Sequence, residues 1–234
     1  MTAAVRATVM ASGSGARVSD GGVTLRAFTH VDRMQPQYAA YWGLMSQGAL
    51  PVAGESQLLV EVSPSNAVFL LTDAAMKASD VRSSGTLIER DFGLMELHAQ
   101  APDVIVAAGQ AILSTLGLAR RDRMAPEIVS SQQLTHITDL HSQLFNKVRR
   151  GAWTLPGETL FVLEVTPAAY VYQLANEIEK QVAVEIVRVA GTGLFGRLIV
   201  AGTDAETARA EAVARAMVAA IQKDATAAAS QGGI

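Results

Sequence analysis

The chain says the same thing twice. Gly48-Ala49 recurs as Gly151-Ala152, Gly54-Glu55 as Gly157-Glu158, and Glu61-Val62-Ser63-Pro64 as Glu164-Val165-Thr166-Pro167. Lys77, Val81 and Phe92-Gly93 recur as Lys180, Val184 and Phe195-Gly196. All of these pairs are 103 residues apart. Upstream, Thr29-His30-Val31 resembles Thr135-His136-Ile137 at 106 residues, which calls for a three-residue length difference near Tyr41 to Ser46. A repeat of this length is a domain-sized unit, so the chain is expected to fold as two like domains. They run from about Val23 to Leu118 and from about Glu127 to Ile221. The charged joint Ala119 to Ala125 precedes Pro126, a helix breaker. The expected division is an N-terminal arm at 1–22, domains at 23–121 and 122–224, and a tail at 225–234. The arm is rich in Gly, Ser and Ala, and its apolar stretch is too broken for a secretory signal.

Each repeat carries the same order of element signals. A strand (Leu25 to Val31; Ile128 to Leu134) leads to a short helix (about Gln37 to Met45; Leu140 to Val148). A loop with Pro51 or Pro156 leads to a second strand (Gln57 to Val62; Thr159 to Val165). Ser63-Pro64 and Thr166-Pro167 then read as a hydroxyl cap with proline at the first helical position. They would open helices from Pro64 to Ser79 and from Pro167 to Val182. In the first of these Val68, Leu71, Ala75 and Met76 fall near one face. Two strands joined by a glycine-bearing tip follow, then a helix starting near Pro102-Asp103 or Thr203-Asp204. The pattern βαβαββα, twice, predicts an α/β fold of the α+β kind: two ferredoxin-like units, each a mostly antiparallel sheet flanked by helices.

Composition closes off several functions. Half of the 234 residues are hydrophobic, enough for real cores. The 19 Lys and Arg against 22 Asp and Glu leave no basic excess for nucleic acid or an anionic membrane. With no cysteine there is no thiolate metal site, Fe–S cluster or Cys nucleophile. No apolar run reaches the ~20 residues of a membrane-spanning helix, and with no export signal the cytoplasm is the expected location.

No motif points to catalysis. Residues 191 to 196 spell GxGxxG, but a strand-like run, Arg197 to Ala201, follows instead of a helix. Without a helix N-terminus there is nothing to hold a pyrophosphate, so the glycines read as a hairpin tip. His30, His98, His136 and His141 show no metal-ligand spacing, and neither a nucleophile elbow nor a phosphate-binding loop is present. No cofactor, metal or enzymatic role is expected.

The repeat resembles a known family. Val60 to Ser79, with Asp73 and Lys77 four apart, looks like the strand and helix that open the shell domains of bacterial microcompartments. The second repeat gives Asn176 and Lys180 in the same places. In that family a further strand and short helix come last; here the corresponding segment precedes each core, as in the circularly permuted form. The family's Pro-Arg-Pro-His edge motif is absent, and Asp32-Arg33 and Asp139 to His141 stand near its place.

Two fused domains resemble the tandem class, which implies a homotrimer shaped like a hexamer. Such a tile would pack with neighbouring hexameric, trimeric and pentameric shell proteins. The resemblance implies a central pore for small metabolites lined by the hairpin tips. These are Glu89, Arg90, Asp91, Phe92 and Gly93, with Gly191, Thr192, Gly193, Leu194, Phe195 and Gly196. Rings of Arg90 and Asp91 would select by charge unless the two pair with each other, and the tip glycines would leave the loops free to gate. Lys77 and Lys180 match the lysine at the tile edge, where lysine stems bury against a neighbour. The alternative from a different class is a ligand-sensing regulatory module built from the tandem ferredoxin-like domain.

Overall fold

A computed structural model describes residues 22–229. The first repeat forms β1 (Thr24–Val31), α1 (Pro36–Met45), β2 (Ser56–Ser63), α2 (Ala67–Ala78), β3 (Arg82–Glu89), β4 (Phe92–Ala99) and α3 (Pro102–Leu116). A short 3-10 turn at Arg120–Asp122 links it to the second repeat. That repeat forms β5 (Glu127–Leu134), α4 (Asp139–Val148), β6 (Thr159–Thr166), α5 (Tyr170–Gln181), β7 (Glu185–Ala190), β8 (Gly196–Gly202) and α6 (Asp204–Ala229). Each repeat makes one antiparallel four-stranded sheet, in the order β1-β2-β4-β3 and β5-β6-β8-β7. The expected arm lies outside the described residues apart from Gly22. Backbone of the expected tail continues α6 to Ala229.

The strand register corrects the alignment of the two halves. Val31 pairs with Gln57, and Leu134 with Leu160. The amides of Met34 and Ile137 donate to the carbonyls of Glu55 and Glu158. The offset is therefore 103 from β1 to β4, with no three-residue difference near Tyr41 to Ser46, and it drops to 102 at the last helix, where Ile105 and Thr207 hold the same buried place. His30 corresponds to Gln133, whereas His136 sits in the turn after β5 with φ 51°. The shared Thr-His pair misleads because register follows which side chains face the core, not short identities.

The proline signals also need correction. Ser63-Pro64 and Thr166-Pro167 are cis, and the helices begin three residues after each proline, at Ala67 and Tyr170. No hydroxyl caps them. The leading amides instead donate to nearby carbonyls: Ala67 to Pro64, Val68 to Ser65 and Phe69 to Asn66, at 3.2–3.3 Å. These turns press on the start of β4 and β8. A methyl on Gly93 would stand 2.3 Å from the Ser65 carbonyl oxygen, and one on Gly196 2.2 Å from that of Ala168. That approach explains why Phe-Gly recurs in both repeats: these glycines are packed rather than free to gate. On α2, Val68, Leu71 and Ala75 are buried as the spacing predicts, but Met76 is 47% exposed.

One core lies between sheet 1 and α2 and α3, built on Val60, Leu71, Met95 and Ile112. A second belongs to sheet 2 with α5 and α6, and it runs without a break into Val31, Tyr38 and Trp42 of the first repeat. The two domains thus share a core. The outer faces of the sheets differ. Sheet 1 buries a polar network in which Tyr38 donates to Gln57 (2.6 Å), Gln57 to Glu96 (2.9 Å), and His98 Nδ1 lies 3.1 Å from Glu96. Sheet 2 has Leu160, Val187, Ile199 and Ala201 at the corresponding places.

Candidate functional site

The site is the boundary between the domains, together with the hairpin tips at one end of it. The β1-α1 side of domain 1 packs against α5 and β7 of domain 2. Trp42 stacks on Tyr172 with ring centroids 4.7 Å apart. Around this aromatic centre α5 presents polar groups to the first turn of α1. Pro36 opens that helix, and no local side chain caps it. The Glu179 carboxylate does so from the other domain, accepting the amides of Gln37 and Tyr38 at 2.8 Å each. A carboxylate at a helix N-terminus satisfies free amides and complements the helix dipole. Burial nevertheless pushes the Glu179 pKa up, against the pull of those two amides.

Other polar groups fix the register of the two domains. Asn176 accepts the Gln35 amide (2.8 Å) and donates to the Arg33 carbonyl (3.2 Å). Gln37 donates to the Val184 carbonyl and accepts the Ile186 amide, both at 2.8 Å. Thr29 donates to Gln173. Near the tips, the buried Glu61 carboxylate accepts Arg26 Nε (2.5 Å) and the Ala169 amide (2.7 Å). The Arg26 guanidinium also lies 3.8 Å over the Phe92 ring. Burial raises the Glu61 pKa, with Arg26 and the Ala169 amide opposing.

The tips are reached directly from this boundary. Glu89 ends β3, Arg90 and Asp91 form an exposed turn with Arg90 at φ 53°, and Phe92 and Gly93 open β4. The second tip spans Gly191 to Phe195 before Gly196 opens β8. Gly191 is buried against the Tyr172 ring, and its amide donates to the Tyr172 hydroxyl at 3.2 Å. Thr192 and Gly193 are half-buried, while Leu194 and Phe195 are exposed. The two tips meet: a methyl on Gly193, at φ 86°, would stand 3.5 Å from Glu89 Cγ. Among the described residues Arg90 and Asp91 form no ion pair. The GxGxxG run is thus a loop between antiparallel strands, with no helix following.

The two lysines lie in different settings. Lys77 pairs with Asp73 at 2.6 Å on the exposed face of α2. Lys180 lies 3.7 Å from Asp32 and 3.9 Å from Glu177, at an end of the domain boundary. Asp139 and His141 fall in the first turn of α4, which Thr138 caps by accepting the His141 amide.

Sequence reasoning passed over Trp42, Tyr172 and Glu179, and it placed Asn176 only as the counterpart of Asp73. The signal available was asymmetry: where α5 has Tyr172, Asn176 and Glu179, α2 has Phe69, Asp73 and Met76.

The arrangement matches known proteins closely. The family of CsoS1D N-terminal domains matches residues 25–122. Carboxysome shell protein CcmP of Synechococcus elongatus is 43% identical over 201 residues, which is 86% of this chain and 93% of that protein. This chain belongs to the tandem-domain, permuted shell proteins of bacterial microcompartments. Carboxysome shell protein CsoS1D of Prochlorococcus marinus is 38% identical over 193 residues, 82% of this chain and 75% of that protein. Two solved members superpose with a TM-score of 0.82. One is a fused permuted hexameric shell protein from the RMM microcompartment, 37% identical, covering 85% of this chain and 98% of its own. The other is a double-ringed trimeric shell protein from the same kind of compartment, 34% identical, covering 85% and 97%. The shell protein described here is accordingly a structural component of a microcompartment shell, and its relatives are themselves structural shell proteins.

Proposed function

We propose that three copies of this shell protein close into a pseudohexameric ring that tiles the shell and passes small metabolites through a central pore. One observation carries the reading: both halves of the domain boundary are present a second time on the outside of the chain, and there no described residue covers them. The counterpart of α5 is α2, whose Phe69 (in place of Tyr172) is 55% exposed beside the exposed Met76. The counterpart of β1-α1 is β5-α4, whose Leu140, Leu144 and Val148 are all exposed. In the chain, Tyr41, the equivalent of Leu144, is buried, and Met45, the equivalent of Val148, packs against the core shared with α5 and β7. Seating α4 of one copy on α2 of the next repeats the internal contact between molecules. It is a heterologous contact, which closes when the rotation per domain is one sixth of a turn. Full burial of such side chains contributes about 1.5–3 kcal/mol each.

In this ring the six tips surround one axis, with Glu89, Arg90, Asp91, Leu194 and Phe195 forming the lining. Lys77 and Lys180 stand at the tile edge, toward other hexameric, trimeric and pentameric shell proteins. The domains are 23–121 and 122–224, the role is non-enzymatic and needs no cofactor, and the compartment lies in the cytoplasm. Light scattering at low micromolar concentration tests the ring. The expected mass is about 74 kDa for three chains of 24.6 kDa, against one chain for Leu144→Asp with Val148→Asp. A stable wild-type monomer would refute the ring.

A further inference from the structure

The two repeats differ at one place in a way that leaves a hole in only one of them. The buried positions of α3, namely Ile105, Ala108, Ile112 and Leu116, correspond to Thr207, Ala210, Ala214 and Val218 of α6. In this alignment Gly109 corresponds to Glu211. In domain 2 the Glu211 side chain reaches from α6 to β5, and its carboxylate also pairs with Arg215 of the same helix at 2.7 Å. Its carboxylate accepts the Ser131 hydroxyl at 2.6 Å and the Gln133 amide at 3.2 Å. The same positions on β1 are Phe28 and His30. Gly109 sends nothing down to meet them, and between α3 and β1 there is a cavity of about 190 Å³.

The cavity has an apolar body and a cationic corner. Phe28, Leu58, Ile105 and Leu113 line the body. His30 and Arg120 supply the corner. His30 Nε2 is buried without a hydrogen-bond partner among the described residues. Burial lowers the His30 pKa, Asp32 opposes this and Arg120 adds to it, so the ring is neutral near pH 7 with a single N–H to give. The Arg120 side chain makes no ion pair among the described residues. Asp32, whose charge acts on His30, lies 3.7 Å from Lys180, and Asp224, which feels the Arg120 charge, pairs with Arg123 at 2.6 Å.

We propose that this cavity is a binding site for a short aliphatic carboxylate, one per chain. The carboxylate replaces the one that Glu211 supplies in domain 2, taking the N–H of His30 and the guanidinium of Arg120. Its hydrocarbon end lies against Leu58 and Ile105. The volume is below the ~300–1,000 Å³ of drug-sized pockets, which limits the ligand to a handful of heavy atoms. An apolar wall with a few convergent polar groups favours a compound of this shape over a fully polar anion. The site lies apart from the tips and does not depend on the ring.

Calorimetric titration of the full chain with hexanoate, with hexanol as the neutral comparison, tests the site. Hexanoate is expected to saturate at one per chain and to bind at least fivefold more tightly than hexanol. Arg120→Gln changes an exposed residue and should remove that preference while leaving hexanol binding unchanged. Gly109→Ala puts a methyl 2.9 Å from Phe28 Cζ, drives the ring into the cavity and should weaken both ligands. No saturable binding up to tens of millimolar, two sites per chain, or an unchanged preference in Arg120→Gln would overturn the assignment. A change in mass would instead bear on the ring alone.

Discussion

Replacing Glu61 by alanine should destabilise this chain more than most single changes. The Glu61 side chain is 2% exposed and that of its partner Arg26 9%. Without the carboxylate, a guanidinium stays buried with only the Phe92 ring and, at 4.0 Å, the Met124 sulfur beside it, and the Ala169 amide loses its acceptor. Breaking a buried pair from one side costs about 3–5 kcal/mol. An orphaned buried amide costs about 1–3 kcal/mol, and the two overlap because both report one carboxylate. A loss of about 4 kcal/mol is therefore expected, roughly 8–16 °C in Tm for a chain of this size. Urea unfolding followed by Trp42 fluorescence measures it, in a Trp153→Phe background and at one fixed protein concentration. The double change Arg26→Leu with Glu61→Leu strands no charge and should cost clearly less than Glu61→Ala alone. A Glu61→Ala loss below about 1 kcal/mol, or a double change as costly as the single one, would refute this account.

Further expectations concern the same boundary and the tile edge. Gly93→Ala should cost at least about 2 kcal/mol in chemical unfolding, because the new methyl meets the Ser65 backbone rather than a movable side chain; wild-type stability would contradict that packing. The raised pKa values of Glu61 and Glu179 mean that the folded state holds their protons longer than the unfolded chain does. Their contribution is greatest below the ordinary glutamate pKa of about 4.3 and falls as pH rises through the raised values. Glu179→Gln should therefore flatten the stability profile above that point, and a profile parallel to wild type would remove Glu179 from the account. Lys77→Ala with Lys180→Ala should leave the ring mass intact and reduce sheet formation in electron micrographs. Replacing Arg90 and Asp91 should alter the passage of charged solutes through assembled shells without changing the ring.

Much of the fold is local and was legible in the sequence. Strands with alternating apolar residues, Gly48 and Gly151, the hairpin tips, and Pro102-Asp103 at a helix start depend on neighbours in the chain, so periodicity and turn chemistry suffice. The repeat fixed how many units there are. The tips could be named as candidates because a glycine-bearing run between two strands has few other uses. The placement of His30 was misread because a three-residue identity carries less information than the pairing of a whole strand with β2.

Only the tertiary structure decided what makes the two halves different. Nothing near Met76 or Glu179 in the sequence says that one faces solvent while the other caps a helix in another domain. That assignment depends on α1 arriving over α5, a contact more than a hundred residues apart. The same holds for Glu61 and Glu164, identical in sequence context. Glu61 is sealed beneath the domain boundary, whereas Glu164 meets the exposed Arg197. It holds again for Gly109 and Glu211, one leaving a cavity and the other reaching across to Ser131. Sequence periodicity specifies which face of an element is buried, because that face is set by the element's own geometry. What buries it, and whether a polar group there finds a partner, is set by the docking of whole domains, and that was visible only in three dimensions.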